Sequence, residues 1–200
     1  MENLIIINRD SVIFDFDRTM VFQETMSFFL RSIAGQQKFL TACCGAGARA
    51  ALVSPSRRRE IFRVEILRRI LAGKTLDQAR GAAESLFKQL EWIPSTMQEF
   101  QRHQEAGRRI LVATGSLSAY MPTIFELKSL HLDALFSTEM EIEGNLLTGE
   151  MKTLSCTWSE KARRVQEWLV GTKGEVWGYG NLPHDGAMLA LTDHPTVVPL

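Results

Sequence analysis

An apolar run, Val12-Ile13-Phe14, leads directly into Asp15-Phe16-Asp17, and no other stretch of the chain limits the fold so tightly. A run of this kind predicts a β-strand. Side chains alternate faces along a strand, so Asp15 and Asp17 can point to the same side at its carboxyl end. Burying two acids so close together is costly unless a cation lies between them or one keeps its proton. Taken alone, the pair also fits a strand-end turn with solvated acids.

Three later segments read as short buried strands of a parallel sheet: Ile110-Leu111-Val112-Ala113, Ala134-Leu135-Phe136-Ser137 and Val176-Trp177-Gly178-Tyr179. Helical patterns separate them. One follows a capping-box pattern at Ser95-Thr96-Met97-Gln98 and stops at Gly107. Another opens at Thr157-Trp158-Ser159-Glu160, with Val165, Trp168 and Leu169 on one face. The stretch Met140 to Leu147 has the look of a hairpin. Alternating strands and helices predict an α/β sheet with right-handed crossovers.

From about Val21 to Gln104 there is no convincing strand and much helix-forming sequence, including Glu60 to Leu71 ended by Gly73, and Leu76 to Leu90. Such an insert is expected to form a helical cap over the strand ends, where open α/β sheets bind ligands. The small-residue patch Cys43 to Ala48 is a weak candidate for a phosphate-binding loop.

Composition sets the outer limits. The 200 residues are 45% hydrophobic, enough for one real core with a modest insertion. Lys plus Arg and Asp plus Glu are both 23, so the overall charge favours neither nucleic acid nor an anionic surface. The apolar run Leu4 to Ile7 is too short for a signal peptide, and the three cysteines are odd in number and lack zinc-ligand spacing. A reduced, cytoplasmic protein without an integral membrane segment is expected.

Four ordered motifs then resemble the haloacid dehalogenase-like (HAD) phosphohydrolases, in particular the helical-cap subfamily related to phosphoserine phosphatase. They are Asp15-Phe16-Asp17-Arg18-Thr19; Leu111-Val112-Ala113-Thr114-Gly115-Ser116; Lys161 within Ser159 to Arg164; and Tyr179-Gly180-Asn181-Leu182-Pro183-His184-Asp185 followed by Met188-Leu189. The stretch Glu141 to Gly149 is similar to the segment before the motif lysine in that subfamily. The resemblance implies an α/β fold with a three-layer, Rossmann-like core at 1–20 and 105–200 and an all-helical cap at 21–104. It implies a Mg²⁺-dependent phosphatase acting on a small phosphorylated metabolite, with no nucleic-acid partner. Asp15 would be the nucleophile and Asp17 the acid and base. Thr114, Gly115, Ser116 and Lys161 would hold the phosphoryl group, Thr114 beside a helix N-terminus. Asp15, Asp17, Asn181 and Asp185 would hold Mg²⁺, Asp185 mostly from behind.

Two positions depart from the family pattern. Arg18 stands where glycine is usual, and Asn181 where Asp is commoner, which removes one negative charge from the metal cage. The alternatives in other functional classes are a phosphotransferase, which passes the phosphoryl group to an alcohol, and a HAD-fold binding or regulatory protein of weak activity. Phosphoserine, a lipid head-group phosphate and other phosphomonoesters all stay open as substrates. The run Arg57-Arg58-Arg59 reads as a solvated face or as an anion clamp, and His184 is the histidine nearest the motifs.

Overall fold

A computed structural model of the chain describes residues 8–199, so the Leu4 to Ile7 run lies outside the described residues. In chain order the elements are β1 (Ser11–Phe14), α1 (Thr25–Ala34), α2 (Gln36–Ala51), a 3-10 turn at Pro55–Arg57, α3 (Arg58–Leu71), β2 (Lys74–Thr75), α4 (Leu76–Phe87) and α5 (Pro94–Glu105). There follow β3 (Arg109–Leu117), α6 (Met121–Lys128), β4 (Ala134–Thr138), β5 (Met140–Glu143), β6 (Leu146–Met151), α7 (Trp158–Leu169), β7 (Val176–Gly180), α8 (Gly186–Leu189) and β8 (His194–Val197).

Five strands form a parallel sheet in the order β4-β3-β1-β7-β8, with β1 at its centre. All four residues of β1 are buried, as a strand covered on both faces requires. Val12 and Phe14 pack with Phe100 of α5 and with α6, while Ile13 faces Val165 of α7 and Met188 of α8. The result is three layers. Phe14 stacks on Tyr179 with ring centroids 4.7 Å apart, and burying such a ring contributes about 1.5–3 kcal/mol. The chain leaves β1 toward β3 and β4, then returns to the other side of β1 for β7 and β8. That reversal places the strand-end crevice next to β1, where open α/β sheets bind ligands.

Some local expectations are corrected. The sequence around Ser95 makes no capping box; α5 starts from Ile93 with Pro94 in its first turn, a proline whose fixed φ suits that place. The helix α5 also lies on the sheet, its Phe100 ring 5.5 Å from Phe14. The insert contains a strand after all: Lys74–Thr75 pairs with Leu146–Leu147, making a three-stranded antiparallel sheet β2-β6-β5 with the hairpin. A two-residue strand has no readable alternation, so the sequence could not announce it. β8 was missed too; all four of its residues are exposed, so it lacks an apolar signature. Cys43 to Ala48 lies within α2, which leaves no glycine loop there. The insert leaves and rejoins the core side by side, Phe22 N–H donating to Glu91 O and Ile93 N–H to Met20 O.

Candidate active site

Asp15 follows β1 and is held down by the Asp15 N–H to Tyr179 O bond. Lys161, one turn into α7, lies with its Nζ 2.7 Å from Asp15 Oδ1 and 2.6 Å from Asp185 Oδ1. Lys161, Asp15 and Asp185 are all buried. Burial pushes the Asp15 carboxyl up to about 7 against the pull of Lys161. For Lys161 burial acts downward, and attraction to Asp15 and Asp185 overcomes it, so the ammonium stays charged. Two carboxylates share one ammonium.

Asp17 lies in different surroundings. Its Oδ1 accepts from the Thr25 N–H at 2.9 Å and the Thr25 hydroxyl at 2.6 Å, and its Oδ2 accepts from the Ser116 hydroxyl at 2.6 Å. Tyr120 OH lies 2.7 Å behind Thr25 Oγ1. Burial raises the Asp17 carboxyl, and these hydrogen bonds oppose the rise. The pair therefore diverges: Asp15 joins an ammonium, Asp17 a set of hydroxyls.

On the other side of Asp15, Oδ2 accepts from Thr19 Oγ1 at 3.0 Å. The Asn181 amide nitrogen lies 3.1 Å from the Asp17 main-chain oxygen and 3.4 Å from both Asp15 Oδ2 and Thr19 Oγ1. Asp185 Oδ2 accepts from the Asn181 N–H at 2.9 Å, and Asp185 makes no side-chain cap on α8. A Cβ on Gly180 would come within 2.7 Å of Asp185 Cβ, so this close approach needs glycine. Among the described residues, no three His, Cys, Asp or Glu side chains converge as a metal site. The reason is visible in the directions taken: the Asp17 carboxylate turns to Thr25 and Ser116, and Asp185 is spent on Lys161 and the main-chain N–H of Asn181.

Thr114, expected beside a helix N-terminus, is not there. β3 continues to Leu117, with a register shift between Ala113 and Leu117, and α6 begins only at Met121. Thr114 is fully buried, its Oγ1 accepting from the Ser116 N–H at 3.1 Å. Gly115 and Ser116 face a cavity of about 360 Å³ that Asp15, Asp17, Lys161 and Asn181 also line. A Cβ on Gly115 would meet Thr157 Cγ2 at 2.6 Å, which explains glycine at that position.

With this geometry in view, the comparisons with known proteins decide the family. The haloacid dehalogenase-like hydrolase model matches residues 12–190. The chain belongs to the haloacid dehalogenase-like hydrolases. A phosphoserine phosphatase of Archaeoglobus fulgidus is 28% identical over 160 residues, covering 78% of this chain but 42% of that protein. The chain thus spans less than half of that relative. A Bordetella pertussis Tohama I protein of unknown function shares the fold with a TM-score of 0.72 at 17% identity, over 96% of this chain and 90% of that one. A phosphoserine phosphatase solved as a phospho-aspartyl intermediate analogue has a TM-score of 0.60 at 15% identity, over 95% and 86%.

This HAD-like hydrolase puts further side chains at the site that the sequence did not single out. Arg63 reaches down from α3 and donates to Gly115 O and, at 3.2 Å, to Thr138 Oγ1. Burial lowers its guanidinium, and its Nε is buried without a partner. Of the run Arg57-Arg58-Arg59, only Arg59 lines the cavity, its guanidinium 3.4 Å from His184 Nε2. Arg59 and Arg63 are four apart, hence on one helix face, and that spacing was the available signal. Thr25 and Tyr120 carried none. Arg18 adopts φ +57 and pairs with exposed Glu24 at 2.9 Å. A left-handed φ explains the usual glycine and costs a side-chain-bearing residue about 1 kcal/mol. Among the described residues no helix is long and apolar enough to cross a membrane.

Proposed function

We propose that this chain is a Mg²⁺-dependent phosphatase that hydrolyses a small phosphomonoester through an aspartyl-phosphate on Asp15. The observation that carries this reading is the divergence of two neighbouring carboxylates, one fixed by an ammonium and one held among hydroxyls. Two acids in unlike environments can take unlike roles, one ionised and one protonated. Asp15 Oδ1 bonds to phosphorus as the bond to the leaving oxygen breaks, and Asp17 gives that oxygen its proton. Asp17 then takes a proton from water, whose oxygen attacks phosphorus as the Asp15 Oδ1–phosphorus bond breaks, freeing inorganic phosphate and restoring the carboxylate. Lys161 and the Gly115–Ser116 segment would steady the phosphoryl charge, with Thr114 behind them.

The residues fit a hard divalent cation. Asp15 Oδ2, the Asp17 main-chain oxygen and Thr19 Oγ1 all lie within 3.4 Å of the Asn181 amide nitrogen, which occupies the centre of an oxygen cluster as a cation would. A half-turn of the amide presents its oxygen instead, and the two orientations have nearly the same shape. Asp15, the Asp17 carbonyl and Asn181 would hold Mg²⁺, with Asp185 fixing Asn181. When bound, the ion would neutralise phosphoryl oxygens and the carboxylate charge that Lys161 leaves uncovered. We also infer a cap that ends near Trp92, where the chain crosses back to the core, with α5 counted in the core.

The test is phosphate release by purified protein from p-nitrophenyl phosphate and a metabolite panel, with Mg²⁺ and with chelator. Asp15→Asn should abolish release while the protein stays folded, since Lys161 keeps Asp185 as its partner at 2.6 Å. Trapped wild-type protein should carry phosphate on Asp15. Phosphate on another residue, or turnover by the variant, would refute the assignment. Added alcohols that diverted phosphoryl groups from water would convert the reading to a phosphotransferase.

A further inference from the structure

A second cavity of about 700 Å³ opens beside the first, between α3 and the connection from β6 to α7. Arg59, Arg63, Thr157 and Trp158 line both, so the two cavities adjoin along a shared wall. The lining of this second, outer cavity includes Lys152, Arg59 and Arg63 together with Glu60 and Glu150. Glu150 is taken up by Arg68 at 2.6 Å, which leaves the wall with more positive than negative charge. Val64, Met151, Leu154 and Trp158 add apolar surface, alongside the hydroxyls of Ser56, Thr153, Ser155 and Thr157.

Two of these residues are held at a cost that packing does not explain. Trp158 takes φ +51, a left-handed conformation uncommon for a bulky side chain, and its ring lies 4.5 Å from that of His184. Arg63 is sunk into the shared wall with its Nε unpaired, although a buried unpaired donor costs about 1–3 kcal/mol. Strain and unpaired charge gather where a ligand is to be met.

We propose that this groove takes the leaving group of the phosphomonoester, and that the leaving group is an extended, partly apolar alcohol bearing a second anionic group toward Lys152. This inference rests on the phosphatase reading. The inner cavity holds the reacting phosphoryl group under Gly115, Ser116 and Lys161. The alcohol passes Arg59, Arg63 and the Trp158 ring, and its distal anion meets the positive outer wall. The compact ester phosphoserine borders Arg59 and Arg63 but gains nothing from Lys152, which lines the outer cavity and not the inner one, so it is turned over less well than the matched bisphosphate.

The experiment compares kcat/KM for alkanediol bisphosphates of increasing chain length, alkyl monophosphates of the same lengths and phosphoserine. A distal anion matched to the groove should favour the bisphosphate about ten-fold at an optimal length, well above the two-fold gain of having two reacting ends. Lys152→Glu should bring the ratio close to that two-fold value. A wild-type ratio near two at every length, phosphoserine turned over as well as the best bisphosphate, or a preference that survives Lys152→Glu overturns the proposal. Calorimetry of alkane bisphosphonates and alkyl phosphonates on the Asp15→Asn protein separates the two readings. Length-dependent binding with no wild-type turnover of any ester refutes the phosphatase and keeps the groove. Turnover without bisphosphate preference refutes the groove alone.

Discussion

Replacing Lys161 by Met keeps the length of the stem and removes the charge that two buried carboxylates share. Asp15 and Asp185 are 4% and 1% exposed, so water cannot take the place of the ammonium. Breaking a buried ion pair from one side costs about 3–5 kcal/mol, because the partner is left uncompensated. With a urea dependence of about 2 kcal/mol per molar, the unfolding midpoint should fall by about 1.5–2.5 M. The loss should also depend on pH. Burial already raises Asp15 to about 7, and without Lys161 its carboxyl rises further. A carboxyl raised in the folded state stabilises below its unfolded value and loses that contribution as pH climbs through the folded one. Above pH 7 the variant therefore keeps a proton that the wild type and both unfolded chains release. Its deficit should widen by about 1.4 kcal/mol for each pH unit until the new value is reached. The assay is urea unfolding at pH 6 and pH 9 in chelator, followed by circular dichroism. Adding Asp185→Asn should recover part of the loss, since one uncovered carboxylate is gone. A midpoint shift under about 0.5 M that is equal at both pH values would mean that Lys161 does not balance these acids.

If Asn181 lies in the metal cage, Asn181→Asp should lower the Mg²⁺ concentration for half-maximal activity on the order of ten-fold, and Asn181→Ala should raise it; titration of activity with Mg²⁺ shows no movement if Asn181 is not a ligand. His103 accepts from Arg108 Nη1 at 3.0 Å on Nδ1, so Nε2 carries the proton toward Tyr179 OH, also 3.0 Å away. Burial, with the Arg108 charge, lowers His103 to about 4. The unfolded chain takes up this proton near pH 6.5 and the folded one only near 4, so stability is full above 6.5 and falls as pH drops to 4. The difference in unfolding free energy between wild type and His103→Gln should shrink by up to roughly 3 kcal/mol over that window, and a constant difference would refute a neutral buried imidazole.

Much of this protein was legible along the chain because parallel strands are covered on both faces and so read as unbroken apolar runs. Val12 to Phe14, Ile110 to Ala113 and Val176 to Tyr179 became β1, β3 and β7. The catalytic candidates lie at the carboxyl ends of these strands or near the start of a helix beside them, but the strands cross the sheet in the order β3-β1-β7 and not in sequence order. Asp15, Asp17, Ser116, Lys161, Asn181 and Asp185 are brought together across as many as 166 positions. Elements without a periodic apolar signal, β2 and the exposed β8, were not legible, and the capping pattern at Ser95 lost to Pro94 one residue earlier.

What only the tertiary structure decided is the direction each side chain takes. Two aspartates two residues apart are alike in sequence, yet one meets Lys161 and the other meets Thr25 and Ser116, groups supplied by the cap and by another strand. Along the chain only the four-residue spacing to Arg59 sets Arg63 apart from a solvated arginine, because its partners Gly115 and Thr138 lie 52 and 75 positions away. Sequence fixes which chemistry is present through short-range pattern. Burial and long-range contact, which set charge state and reach, exist only once the sheet and the cap have come together.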